Sequence, residues 1–385
     1  MRPALGLRLA AAGVVLAAAL VACDKDKDIE PPKALVAIDA KLAVEHVWSA
    51  GLGGKDRALR LALAPAVDGE RLYAAGSGGD VQAFEPASGR SLWRTHSKLP
   101  LSAGPGTGAG LVVVGASDGQ VLALDAATGT VRWQIRLSGE VLAPPAVTGQ
   151  AVVVRSVDGR VRGLSPADGH ELWSNEQSVP RLTLRGTARP LIVGDTVICG
   201  FDNGKVAAYG LVNGDTVWET AVSPPHGRTE LERLVDIDGA MQVSGRDVFV
   251  AGFQGRVAML ALDSGQIWWS REASSYRGLA LDGETLYVVL ADGIVQGLRR
   301  RDGTPLWQQD RLARRGLTAP VIDGEAVVVA DYEGYVHWLD RASGALVGRI
   351  GTSKGRITNS PLAANGFVYL QTDAGSLYAL RARAP

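Results

Sequence analysis

Two glycine series run through this chain at a spacing that leaves few folds open. One comprises Gly79, Gly119, Gly159, Gly204, Gly255, Gly293, Gly334 and Gly375, in steps of 40, 40, 45, 51, 38, 41 and 41 residues. The other precedes tryptophan by four positions: Gly89/Trp93, Gly129/Trp133, Gly169/Trp173, Gly214/Trp218, Gly265/Trp269 and Gly303/Trp307, whereas Gly344 is followed by Gly348. Self-similarity at such a period marks a repeat architecture, whose units bury their apolar faces against their neighbours.

The unit is clearest at Gly115–Trp133. Val121 and Ala123 alternate with Gln120, Leu122 and Leu124, which suits a strand covered on both faces. Asp118-Gly119 and Thr128-Gly129 supply the positive-φ positions of tight hairpins. A further turn at Thr148-Gly149 separates Ala143–Val147 from Ala151–Val154, so each repeat reads as four short antiparallel strands. First turns recur at Asp68-Gly69, Ala109-Gly110, Gly194-Asp195, Ser244-Gly245, Asp282-Gly283, Asp323-Gly324 and Asn365-Gly366, which makes eight copies. The last copy ends at Ala379-Leu380 without a fourth strand, while Val44–Trp48 carries a tryptophan with no blade ahead of it. The expectation is an all-β, eight-bladed propeller of four-stranded antiparallel blades, with the N-terminal strand completing the last blade and leaving only short edges.

Helical repeats fit poorly, because no stretch after residue 40 keeps helical spacing. The WD40 propeller expects Gly-His and Trp-Asp signatures that are missing. The order Ala-Leu, Asx/Ser-x-x-Ser/Thr-Gly, Gly-x-x-x-Trp instead resembles the pyrroloquinoline-quinone-like propeller repeat, across essentially all of residues 41–385.

Residues 1–22 carry Arg2 and Arg8 ahead of the alanine-rich apolar run Leu9–Val21, which is too short to span a bilayer and reads as a cleaved secretory signal. The run ends Leu20-Val21-Ala22-Cys23, which resembles a bacterial lipobox and implies lipidation of Cys23. Several acyl chains on one residue anchor a protein stably. Residues 23–40 are then a lipidated tether, with Asp24–Pro32 flexible, and residues 41–385 are the propeller. Without the leader, 38 basic residues face 40 acidic ones, which favours neither nucleic acid nor an anionic surface. Cys199 sits in the apolar run Thr196-Val197-Ile198-Cys199 and is expected to be buried, with no disulfide partner.

Nothing in the residues points to catalysis, a cofactor or a metal. Quinoprotein dehydrogenases of the resembling family use a calcium ion, a stacking tryptophan and adjacent cysteines. This chain has no adjacent cysteines, and its tryptophans occupy repeat positions. His46, His96, His170, His226 and His337 are scattered singly, without metal-ligand spacing. Glycine-rich Gly76–Gly79 lacks the lysine of a phosphate loop. Function is therefore sought in loops that break the repeat.

From outer-strand tryptophan to next first-turn glycine the chain takes 17 residues (Trp93→Gly110), 16 (Trp133→Gly149), 14 (Trp269→Gly283) and 17 (Trp307→Gly324). Three connections are longer: Trp48→Gly69 at 21, Trp173→Gly194 at 21 and Trp218→Gly245 at 27. The last two are consecutive and should be neighbours on one face. The first reads Val179-Pro180-Arg181-Leu182-Thr183-Leu184-Arg185-Gly186, and the second Arg228–Asp238 should form a helical turn at Leu231, Leu234 and Val235 presenting Asp236 and Asp238. Apolar anchors beside an arginine and carboxylates have the makeup of a binding hot spot. The rival reading has Leu182 and Leu184 plugging the disc and Arg185 paired internally.

These two loops are similar to the signature loops of the BamB family, propeller lipoproteins of the β-barrel assembly (BAM) machinery of Gram-negative bacteria. That resemblance implies a non-catalytic scaffold held at the periplasmic face of the outer membrane. It also implies contact with the POTRA modules of BamA through positions matching Leu182, Leu184, Arg185, Asp236 and Asp238, alongside other BAM components. Blade edges offer a second contact, to unfolded outer-membrane polypeptides, by β-augmentation. Asp24 departs from the pattern, since it resembles an inner-membrane retention signal. The other classes left open are a periplasmic adaptor or sensor of another membrane complex and a quinoprotein-like enzyme.

Overall fold

The structure, a computed structural model, describes residues 30–54, 61–186, 188–352 and 355–384. The expected leader, Cys23 and Asp24 lie outside the described residues. Every sheet among them is four-stranded and antiparallel, and there are eight. Blades one to seven run in sequence order from an inner to an outer strand; blade one is Ala66–Asp68, Arg71–Ala75, Asp80–Phe84 and Ser91–His96. Blade eight is different: Leu362–Ala364, Phe367–Gln371 and Ser376–Arg383 are joined by Ala43–Gly51 from the other end of the chain. Its register runs from Ala43 opposite Arg383 to Gly51 opposite Ser376, so the ring closes as the sequence anticipates.

The repeat signature has a mechanical meaning. The second and third strands are sandwiched between neighbouring blades and almost wholly buried, as in Leu111–Ala116 and Gln120–Asp125. The outer strand bulges by one residue just before its tryptophan: Ala123 faces Trp133, but Leu124 faces Val131. A bulge adds local twist and re-aims a side chain. The tryptophan thus turns onto the following blade, while the skipped residue faces solvent, as Leu172, Val217 and Trp268 do.

Each turned indole lies over a glycine of the next blade and donates its Nε1–H to a carbonyl beside it. Trp133 reaches Pro166 O at 2.9 Å and Trp173 reaches Leu211 O at 2.8 Å. A Cβ on Gly169 would stand 2.6 Å from the Trp133 ring, and the residue has φ +78°, so both space and backbone require glycine there. Trp48, Trp93, Trp218, Trp269 and Trp307 repeat the arrangement, making seven clasped joints among the described residues. The missing tryptophan at Gly348 now has a cause. Blade eight takes its outer strand from the N-terminus, so it has no third turn to receive an indole. A Cβ on Gly348 would meet Leu42 and Val44 at 3.3 Å, and those two residues fill the space instead.

Cys199 is fully buried and free, and burial pushes its thiol up to about 12. Residues 30–40, expected as part of the tether, instead lie against the connection between blades six and seven and along the rim of blade seven.

Candidate partner-docking site

In an up-and-down blade every outer-to-inner connection emerges on one face of the disc, here termed the connection face; the first and third turns of each blade occupy the opposite, turn face. The blade three-to-four loop, 177–190, and the blade four-to-five loop, 222–241, therefore rise side by side. They touch directly: the Leu184 amide donates to the Asp236 carboxylate. The first loop is also tied backward, since Arg185 makes a bidentate pair with Glu140 of the preceding connection at 3.0 and 2.7 Å. Leu182 stands free at 42% exposure, and Leu184 is half-buried.

The second loop carries the expected helical turn. Thr229 Oγ1 accepts the Glu232 amide at 3.2 Å, while Glu232 Oε2 accepts the Arg228 and Thr229 amides at 2.7 and 3.1 Å. This reciprocal capping satisfies the donors that a helix start leaves open. Leu231 projects from the turn at 65% exposure, whereas Leu234 and Val235 are buried beneath it. The chain then threads inward, where Ile237 donates to Phe201 O at 3.2 Å and Phe253 donates to Asp236 O at 2.8 Å.

That threading corrects one expectation. Asp236 and Asp238 are not presented to solvent; their exposures are 0% and 6%. They lie near a buried ion pair between Arg155, whose guanidinium sits 5.0 Å over the Phe201 ring, and Asp202. Burial, reinforced by the charge of Asp238, pushes the Asp236 carboxyl up to about 8, against the pull of the Leu184 amide. Removing a carboxylate from water without full compensation favours its neutral form. Asp236 cannot be reached from solvent without unpacking the loop, and the side chains that the two loops expose include Leu182, Arg185 and Leu231.

No group of His, Cys, Asp and Glu among the described residues is arranged to hold a metal ion. No helix among them is long and apolar enough to cross a membrane. A family model described as outer membrane protein assembly factor BamB matches residues 77–309 and 291–384. This chain belongs to the BamB family. A relative of that name from Pseudomonas aeruginosa is 49% identical over 374 residues, covering 97% of this chain and 98% of the relative. Another, from Alkalilimnicola ehrlichii, is 48% identical and covers 88% and 89%. The crystal structure of BamB from Moraxella catarrhalis superposes with a TM-score of 0.80 at 29% identity, covering 88% of this chain and all of that one. A quinohemoprotein alcohol dehydrogenase from Comamonas testosteroni, at 13% identity and a TM-score of 0.67, shares the fold alone.

Of the five sequence-derived positions, Leu182 and Arg185 lie at the surface, Leu184 is half-buried, and the two aspartates lie beneath. The internal pairing of Arg185 that the rival reading anticipated is present, through Glu140. Sequence reasoning missed Leu231 as the most exposed apolar residue of the patch, although its place on the outer side of a capped turn was a usable signal. It also missed the groove beside the second loop, lined by Ser223, His226, Gln254, Arg256 and Glu272.

Proposed function

We propose that this BamB-family chain is an outer membrane protein assembly factor that works as a non-catalytic scaffold. It is anchored through lipidated Cys23 at the periplasmic face of the outer membrane, after removal of residues 1–22. It docks on the POTRA modules of BamA through Leu182, Leu184 and Arg185, together with Leu231. Asp236 and Asp238 serve the site from beneath, Asp236 by holding the Leu184 amide and so fixing the height and angle of the first loop. The observation that supports this reading is the Leu184–Asp236 contact, which joins the two loops into one surface with exposed leucines on both sides. Such desolvatable apolar anchors around an arginine are where binding energy concentrates.

Leu182→Asp, Leu231→Asp and Arg185→Glu are to be compared with wild type for capture of the BamA periplasmic region. Each anchor substitution should weaken binding by about 2 kcal/mol, roughly thirty-fold, while thermal unfolding stays within about 1 °C of wild type. Undiminished capture by all three variants would defeat the site assignment.

A further inference from the structure

The chain ahead of the closing strand is strapped down along its length. Glu30 pairs with Arg314 at 2.9 Å, and Arg314 Nε donates to Pro31 O at 3.0 Å. The Lys33 amide donates to Ala313 O at 3.1 Å, and its Nζ reaches Asp310 at 2.7 Å. All these partners belong to the connection between blades six and seven, on the face that carries the two-loop patch. Buried Arg315 donates to Lys33 O at 3.0 Å and is itself fixed by Asp331 and Glu333 at 2.7 and 2.5 Å. Farther along, Arg349 Nη1 donates to Val36 O at 2.9 Å, and Leu35 and Ile38 pack against the cluster containing Leu312 and Leu317. The strap ends where the Lys41 and Leu42 amides meet Val347 O at 2.8 and 3.0 Å. Val347 lies at the start of the blade-seven outer strand, Leu346–Gly351, next to its third turn. The segment thus crosses the rim from the connection face to the turn face before the closing strand begins.

We propose that this strap is a clamp that hangs the disc from the membrane by its connection face. The inference rests on the reading of Cys23 as the lipid anchor. Seven residue steps separate Cys23 from Glu30, which reach at most about 25 Å when fully extended. A free tether through residue 40 would add ten further steps and let either face turn toward the bilayer. The clamp removes that freedom, because the chain meets the disc at the blade six–seven connection. The connection face then looks toward the bilayer, and the two-loop patch, two and three joints around the ring, opens into the space between disc and membrane where a partner can enter.

The test uses the acylated full-length protein on phosphatidylethanolamine/phosphatidylglycerol vesicles whose headgroups carry an energy acceptor. A donor dye is placed on Arg311→Cys, in the connection, or on Glu325→Cys, at the first turn of the same blade on the opposite face; both positions are exposed. Fully buried Cys199 stays unlabelled. Energy transfer from position 311 should be several-fold stronger than from position 325. Adding Lys33→Glu and Arg314→Glu should collapse the difference and expose residues 33–42 to hydrogen exchange. Equal transfer from the two positions in acylated protein, or stronger transfer from 325, overturns the clamp and leaves the anchor reading intact. Protein that carries no acyl mass and stays off the vesicles removes the anchor reading itself, and with it the clamp.

Discussion

The clasped joints and the two-loop patch use the same residue classes in opposite ways. At a joint, an indole is buried, its single donor is satisfied, and the glycine beneath it leaves no spare volume: Trp173 over Gly214, donating to Leu211, is 7% exposed. At the patch the apolar residues stand outside and the carboxylates lie inside, with Asp236 Oδ1 lacking any hydrogen-bond partner. Joints are settled locally and repeat seven times; the patch occurs once and is left short of its own best packing. On the proposed function, stability and recognition are carried by different residues, and substitutions should separate them.

The largest effect should come from the strand that closes the ring, which carries Trp48 and also fills the space at Gly348 through Val44. Deleting Ala43–Gly51 removes the whole register against Ser376–Arg383 and exposes that strand as an open edge. The expected outcome is loss of a single cooperative melt, with self-association on size-exclusion chromatography. Second comes a clasp: Trp173→Ala should cost about 3–5 kcal/mol in urea unfolding, the range for emptying a buried aromatic site. BamA capture by the surviving folded fraction should match wild type. A Trp173→Ala protein that is stable but fails to bind would erase the distinction between joint and patch.

The smallest effect concerns the buried carboxyl. Asp236 in the folded protein keeps its proton up to about pH 8, whereas unfolded it releases it near about 4. Between those values the folded state holds the extra proton, so the contribution of Asp236 to stability declines as pH rises through that window and is level above it. Asp236→Asn keeps an oxygen for the Leu184 amide and cannot ionise. Its stability relative to wild type should therefore improve from pH 5 to pH 8.5 in paired urea titrations. Parallel curves for the two proteins would show that Asp236 is not held neutral.

Fold and site differ in how much of them the sequence discloses. The joints were legible because they are periodic: each repeat carries a turn glycine and, four residues on, the tryptophan that covers the turn glycine of the next blade, and Val44–Trp48 was recognisable as a fourth strand without a blade. Gly348 looked like a lapse in the pattern, and only the ring geometry shows it to be the joint without a receiving turn. At the site, loop lengths and composition located both loops and the capped turn. The burial of Asp236 and Asp238 was hidden, because it follows from backbone bonds that tie the Asp236-Ile237 segment to Phe253 and Phe201, in two different blades. The strap was hidden for the same reason: its prolines and mixed charges read as a solvated linker, and its partners Asp310, Arg314 and Arg349 lie some three hundred positions away.

Pairing the two ends of the chain in one sheet also sets an order of events during biosynthesis. Ala43 is made 340 residues before its partner Arg383. Contacts that distant in sequence form late and slowly. Until Ser376–Arg383 has been made the toroid stays an open arc, and the first strand waits without its partner.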